Sequence, residues 1–116
     1  MTLTLPWPPS VNHYYARNRN GSTRISEAGR AYRWRVVAEC RKAGLAKALP
    51  GRVHVAITAH PPDARRRDLD NTLKATLDAM QYAGVYVDDA QVDHLSIERG
   101  AVEKGGRLKV LVWDVQ

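Results

Sequence analysis

Residues 53–60 alternate Val53, Val55, Ile57 and Ala59 with His54, Ala56, Thr58 and His60, and Pro50-Gly51 and Pro61-Pro62 close off the two ends. Period-two alternation sends the two sets to opposite faces of a strand, so this segment predicts a strand with one apolar face. That face needs cover. The candidates are two stretches with helical spacing. Tyr32, Val36, Cys40 and Ala43, supplemented by Val37, form an apolar stripe behind Ser26, a good N-cap with Glu27 in the first turn. Gly44 begins to end that helix and Pro50-Gly51 closes it. Leu69, Leu73, Leu77 and Met80 form the face of a second helix ending at Gly84.

The remaining elements are shorter. Leu3 and Leu5 alternate with Thr2 and Thr4 in a strand stopped by Pro6, Pro8 and Pro9. Residues 10–25 are rich in Ser, Asn and Gly and read as loop. Residues 85–87 form a short extended piece, and 92–99 and 107–115 read as two further strands joined by a turn at Gly105-Gly106, most simply a hairpin. The expected fold is a two-layer α/β (α+β) domain over residues 1–116, a mixed sheet with two helices in the order β-α-β-α-β-β.

The chain has 116 residues, 44% hydrophobic and 26% charged, with a net charge of +6. Its basic balance favours a polyanionic partner. Arg17, Arg19 and Arg24 share one loop, and Arg30, Arg33, Arg35, Arg41 and Lys42 share one helix, where a solvated face is the plainer reading. Cys40 is the only cysteine, which excludes an intrachain disulfide and a cysteine zinc site. There is no signal-like segment and no apolar run of spanning length, so a cytoplasmic location without membrane contact is expected.

The chemistry concentrates in Arg65-Arg66-Arg67-Asp68-Leu69-Asp70-Asn71, with Lys74 one turn beyond Asp70 and Asp88-Asp89 some distance later. In an extended approach, residues two apart point to one side, so Asp68 and Asp70 can converge on one cation. Magnesium takes few carboxylates and completes its octahedron with waters and phosphate. Arginines attract phosphate. Together these suggest metal-activated water attacking a phosphodiester, with Lys74 stabilising negative charge. Asp88 and Asp89 follow the far end of the second helix, roughly 20 Å from its start at about 1.5 Å per residue. They reach Asp68 and Asp70 only if residues 85–87 double back.

Plainer roles stand beside these. Asp68 or Asp70 caps the helix, Asp70 and Lys74 form an i,i+4 pair, and Asp88-Asp89 makes a turn. His13, His54, His60 and His94 have no ligand spacing. Cys40 is core filler, Trp7 packs among prolines, and Tyr14 and Tyr15 are open between packing and base stacking. Lys104, Gly105, Gly106 and Arg107 form a basic turn.

These blocks together resemble the RusA family of Holliday-junction resolvases. The resemblance runs through Leu5-Pro6-Trp7-Pro8-Pro9-Ser10, Asn12, Tyr15, Ser26 and Ala31-Tyr32-Arg33. It continues through Arg65 to Asn71, Lys74, Ala83-Gly84, Asp88-Asp89-Ala90-Gln91-Val92 and Lys104 to Leu108. It implies a homodimer that nicks two strands of a four-way DNA junction, using Mg2+ or Mn2+, with a preference for CC dinucleotides. The family's essential acids match Asp68, Asp70 and Asp89, with Asp88 adjoining, and its basic positions match Lys74 and Arg67. The acidic elements would then meet in one site. Arg17, Arg19, Arg24, Arg65, Arg66 and Lys104 would join Arg67 and Lys74 on DNA. Val11, His13, Thr72 and Thr76 depart from the pattern without touching the acids. A non-catalytic junction-binding protein and a metal-dependent nuclease for another nucleic acid are the competing expectations.

Overall fold

The computed structural model describes residues 1–115. In chain order the elements are β1 (Thr2–Pro6), α1 (Val11–Tyr14), β2 (Tyr15–Arg17), β3 (Thr23–Ile25), α2 (Glu27–Lys42) and β4 (Val53–His60). A 3-10 turn (Leu69–Thr72), α3 (Leu73–Tyr82), a second 3-10 turn (Asp89–Gln91), β5 (Val92–Arg99) and β6 (Arg107–Asp114) follow. Four strands form one mixed sheet in the order β1-β6-β4-β5, with β4 and β5 parallel and the other neighbours antiparallel. The α+β class is as expected.

The alternation in β4 is realised in full. Val53, Val55, Ile57 and Ala59 are buried, and Leu3 and Leu5 of β1 and Leu108, Val110 and Val112 of β6 are buried with them. Register confirms the shared face, since Leu3 pairs with Val110, which pairs with Ile57. Helix α2 covers this face with Tyr32, Val36 and Cys40, and α3 with Ala75, Ala79 and Met80. Burial pushes the Cys40 thiol up to about 11, so it remains a protonated core group. Ser26 caps α2 through its Oγ, which accepts from the Gly29 amide at 2.9 Å. Gly44, at φ +82°, follows the helix end in the left-handed geometry that glycine tolerates.

Two expectations are corrected. Residues 10–25 are not plain loop. Ser10 O accepts the His13 and Tyr14 amides to start α1, and β2 and β3 form a hairpin closed by the Asn18 amide on Ser22 O. The polar turn formers concealed two three-residue strands. A Cβ on Gly29 would overlap the Tyr14 carbonyl, so this glycine lets α2 approach the segment closely.

Nor do β5 and β6 form a hairpin. β6 inserts between β1 and β4, while β5 takes the outer edge beside β4. The reason is side-chain character. β6 offers three apolar residues to the core, whereas β5 is mostly exposed and carries Asp93, Glu98 and Arg99, which suits an edge. Residues 100–106 cross the end of β4, held by Gly100 N to Ala59 O (2.8 Å) and Glu103 N to Pro61 O (2.9 Å).

Candidate active site and nucleic-acid interface

The arginine run and the basic turn come together at the end of β4, whereas Asp88-Asp89 precede β5, whose first residue pairs with the first residue of β4. β4 ends at Pro61-Pro62, and the turn at Gly106 packs against Trp7 and Pro62. This places Lys104 in the neighbourhood of the arginine run. Asp68 has extended geometry (φ −86°, ψ 134°) just before the first 3-10 turn, and Asp70 stands within that turn. The Asp68 side chain makes no capping hydrogen bond, so the ordinary cap role is not the one it fills. Asp70 forms no ion pair with Lys74 among the described residues. The Lys74 ammonium lies instead 5.8 Å from the Tyr15 ring centroid.

Asp88 and Asp89 divide their work. Asp88 Oδ1 accepts from the Ala90 amide at 2.8 Å, while Gln91 Oε1 accepts from the Asp88 amide at 3.0 Å, a reciprocal cap on the second 3-10 turn. The expected turn role for Asp88 is thus real. The Asp89 amide donates to Gln81 Oε1 at 2.8 Å, and its carboxylate has no protein ion pair among the described residues. Residues 85–87 do turn back, with Val85 and Tyr86 buried and Tyr86 bridged to Leu49, but the anchor reached is Gln81 in the last turn of α3.

Tyr15 lies in the field of Asp78 on α3 and of Asp89 on the second 3-10 turn. Its hydroxyl pKa is raised by burial first, then by Asp78, with Asp89 adding to the same direction. Among the described residues, no group of three His, Cys, Asp or Glu side chains stands close enough to hold one metal ion. On one chain, Asp68, Asp70, Asp88 and Asp89 are thus not gathered into such a group.

Two clefts open beside these residues. One, of about 740 Å3, is walled by Trp7, His13, Arg66, Asp68 and Asn71, among others. The other, of about 390 Å3, includes Tyr15, Arg17, Thr23 and Lys74. Arg65 and Arg66 are exposed on the first, and Arg17, Arg19 and Arg24 belong to the β2–β3 hairpin near the second. Arg24 Nη1 is partly engaged, donating to Asn18 Oδ1 at 2.7 Å. Arg67 differs from its neighbours. Its Nη1 donates to Asp63 Oδ1 at 2.6 Å, and its guanidinium carbon lies 5.9 Å from the Trp7 ring centroid. It shapes the cleft more than it projects from it.

Sequence reasoning missed the frame behind the site. The Tyr14 hydroxyl donates to Asp78 Oδ2, and Arg33 donates to the same oxygen through Nε at 3.1 Å and Nη2 at 2.8 Å. This network ties α1, α2 and α3 together one residue from Tyr15. Burial first, and the Asp78 bond next, push the Tyr14 hydroxyl upward, so it stays a neutral donor and is unavailable for base stacking. Arg99 Nη2 donates to Arg67 O at 2.8 Å, fixing the arginine run to β5. The partners in these contacts lie 64, 45 and 32 residues apart, so no local spacing announces them.

The family description Endodeoxyribonuclease RusA matches residues 6–112, nearly the whole fold. The chain belongs to the RusA endodeoxyribonuclease family. It is 46% identical to a crossover junction endodeoxyribonuclease RusA of Shigella sonnei (strain Ss046) over 114 residues, covering 98% of this chain and 94% of that protein. The same identity and coverage hold for the RusA of Escherichia coli (strain K12). The corresponding protein of Enterobacteria phage 82 is 46% identical over 97% of this chain and 93% of its own length. The matched span takes in both acidic segments, Lys74 and both clefts, so the RusA framework surrounds the residues that sequence reasoning selected. Among the described residues, no helix is long and apolar enough to cross a membrane.

Proposed function

We propose that this protein is a structure-specific endodeoxyribonuclease that resolves four-way DNA junctions by paired, metal-dependent hydrolysis, acting as a homodimer. The observation that carries this reading is that the carboxylates of Asp68, Asp70 and Asp89 have no ion-pair partner among the described residues, in a RusA-family chain. Elsewhere in the fold, aspartates such as Asp63 and Asp78 are held by arginines. The junction substrate comes from the names of the relatives, which align almost end to end.

The donor chemistry fits a hard divalent ion. Carboxylate oxygens are the ligands magnesium and manganese take, and magnesium keeps several waters beside one or two carboxylates and a substrate phosphate. Asp68 and Asp70 would hold it, with Asp89 as the further acid. A bound ion would supply Lewis acidity for a water attacking phosphorus as the bond to the 3′ oxygen breaks. The ammonium of Lys74 stabilises negative charge gathering on the phosphate oxygens. Arg65, Arg66 and Lys104 hold the flanking backbone, and the β2–β3 hairpin brings Arg17, Arg19 and Arg24 to a neighbouring arm. Two copies related by a two-fold axis present two sites to a nearly two-fold junction, which accounts for paired cuts.

The test compares a synthetic four-way junction with a linear duplex, each in magnesium and in EDTA. Symmetric nicks in the junction, in magnesium alone, are expected. Tight junction binding with no nicks would replace this reading with a non-catalytic binding protein. Equal cutting of the linear duplex would refute junction specificity.

A further inference from the structure

The 740 Å3 cleft that shares Asp68 with the acidic pair contains groups that hydrolysis does not use. Its size falls in the ~300–1,000 Å3 range of small-ligand pockets. A site for backbone phosphate alone needs only cations and amides. This one adds flat apolar surface from Trp7, Pro8 and Pro62 and hydrogen-bonding side chains from Ser10, His13 and Asn71. The His13 ring meets Ser10 Oγ through Nδ1 at 2.8 Å, which leaves its second nitrogen uncommitted. Asn71 is exposed at the cleft with both an amide donor and a carbonyl acceptor in its side chain. Arg67, held by Asp63, fixes the Trp7 end, and Arg66 stands exposed among the lining residues.

We propose that this cleft is a pocket for one unpaired nucleobase adjoining the phosphate that is cut, lying on Trp7 and read along its edge by Asn71 and His13. The inference rests on the nuclease reading above and adds the base-selecting residues. A base inside a duplex offers neither face to an aromatic floor. At a branch point, leaving the stack costs least, which couples this pocket to junction structure. Asparagine can pair bidentately with a base edge, and removing one such pairing relaxes discrimination about tenfold. Arg65 and Arg66 would then hold the phosphates on either side of the captured base.

The test uses the full chain and four-way junctions whose core sequence is randomised, cut in magnesium. The parent should concentrate its nicks beside one base identity. Asn71→Ala and His13→Ala are surface changes and should each lower that preference about tenfold, the decrease falling at the favoured sites. An unaltered preference in both variants, or a parent that cuts without regard to base, would overturn the pocket.

A second measurement separates the pocket from the chemistry. In EDTA, a junction with 5-iodouracil beside the cut position should photo-crosslink to the tryptic peptide that ends at Arg17 and contains Trp7 and His13. Crosslinks confined to other peptides sink the pocket. The expected crosslink in a protein that never nicks DNA sinks the nuclease reading and leaves the base site standing.

Discussion

Asp70, in the first 3-10 turn, and Asp78, about two turns later within α3, are treated in opposite ways. Asp78 accepts from Tyr14 and twice from Arg33, with its side chain only 24% exposed. Asp70 is exposed, and neither Lys74 nor any described arginine is paired with it. A carboxylate that holds a fold together is surrounded by donors from its own chain. A carboxylate that serves a ligand must keep its oxygens accessible, with the repulsion of its neighbours borne by the surrounding positive field. The same division separates Asp63, locked by Arg67, from Asp68 five residues later.

The contrast can be broken first at Asp70. Asp70→Asn should reduce junction nicking at least about a hundredfold, since removing a metal ligand takes away several kcal/mol of transition-state stabilisation. Junction affinity in EDTA should be equal or higher because a negative charge is gone. Single-turnover nicking and a gel-shift titration read the two quantities. Undiminished nicking would remove Asp70 from the site.

The opposite variant, Asp78→Ala, should cost about 2–3 kcal/mol of stability by stranding the Arg33 guanidinium and the Tyr14 hydroxyl. Urea midpoints check this. Tyr14→Phe removes one hydrogen bond from the same network and should cost about 1 kcal/mol. If Asp78→Ala proved neutral, the distinction between the two kinds of aspartate would fail.

The sequence disclosed the two kinds unequally. Asp68, Asp70 and Lys74 stood out because their spacing is local, and the extended-to-helical change of backbone expected there is present. Arg33 and Asp78 are 45 residues apart, and no local period joins them. The strand alternation of β4 was unmistakable because each buried residue has an exposed or half-buried neighbour. Strand order was not readable, because hairpin and crossover connections of residues 100–106 differ only in which neighbour β6 chooses. That choice is tertiary, set by the three apolar residues β6 offers to the core. The β2–β3 hairpin escaped because its strands have three residues each, too few to display a period.

Smaller effects sharpen the comparison on the basic side. Arg65→Ala with Arg66→Ala should weaken junction binding and lower the salt dependence of log affinity by about 0.9 for each phosphate no longer neutralised. A slope equal to the parent's would exclude a phosphate-binding role there. The smallest effect concerns Asp63. Hydrogen bonding from Arg67 first, and the Arg65 amide next, holds its carboxyl well below the usual carboxylate range. Its folded pKa is therefore depressed, so its contribution to stability is present above the unfolded value and is lost as pH falls toward the folded one. The stability difference between the parent and Asp63→Asn should shrink on acidification, as read by urea titrations at successive pH values. A difference that grew in acid would contradict the pairing.

The position of β6 has a consequence for how the molecule comes into being. This strand is the last of the described strands to leave the ribosome, yet it occupies an inner place and supplies both neighbours' hydrogen bonds, to β1 at one side and β4 at the other. Until it emerges, β1 has no partner in the sheet and a nascent chain holds its arginines and aspartates on an unfinished support. Closure of the sheet therefore waits for β6, and a chain that stops before it leaves β1 and β4 without their shared neighbour.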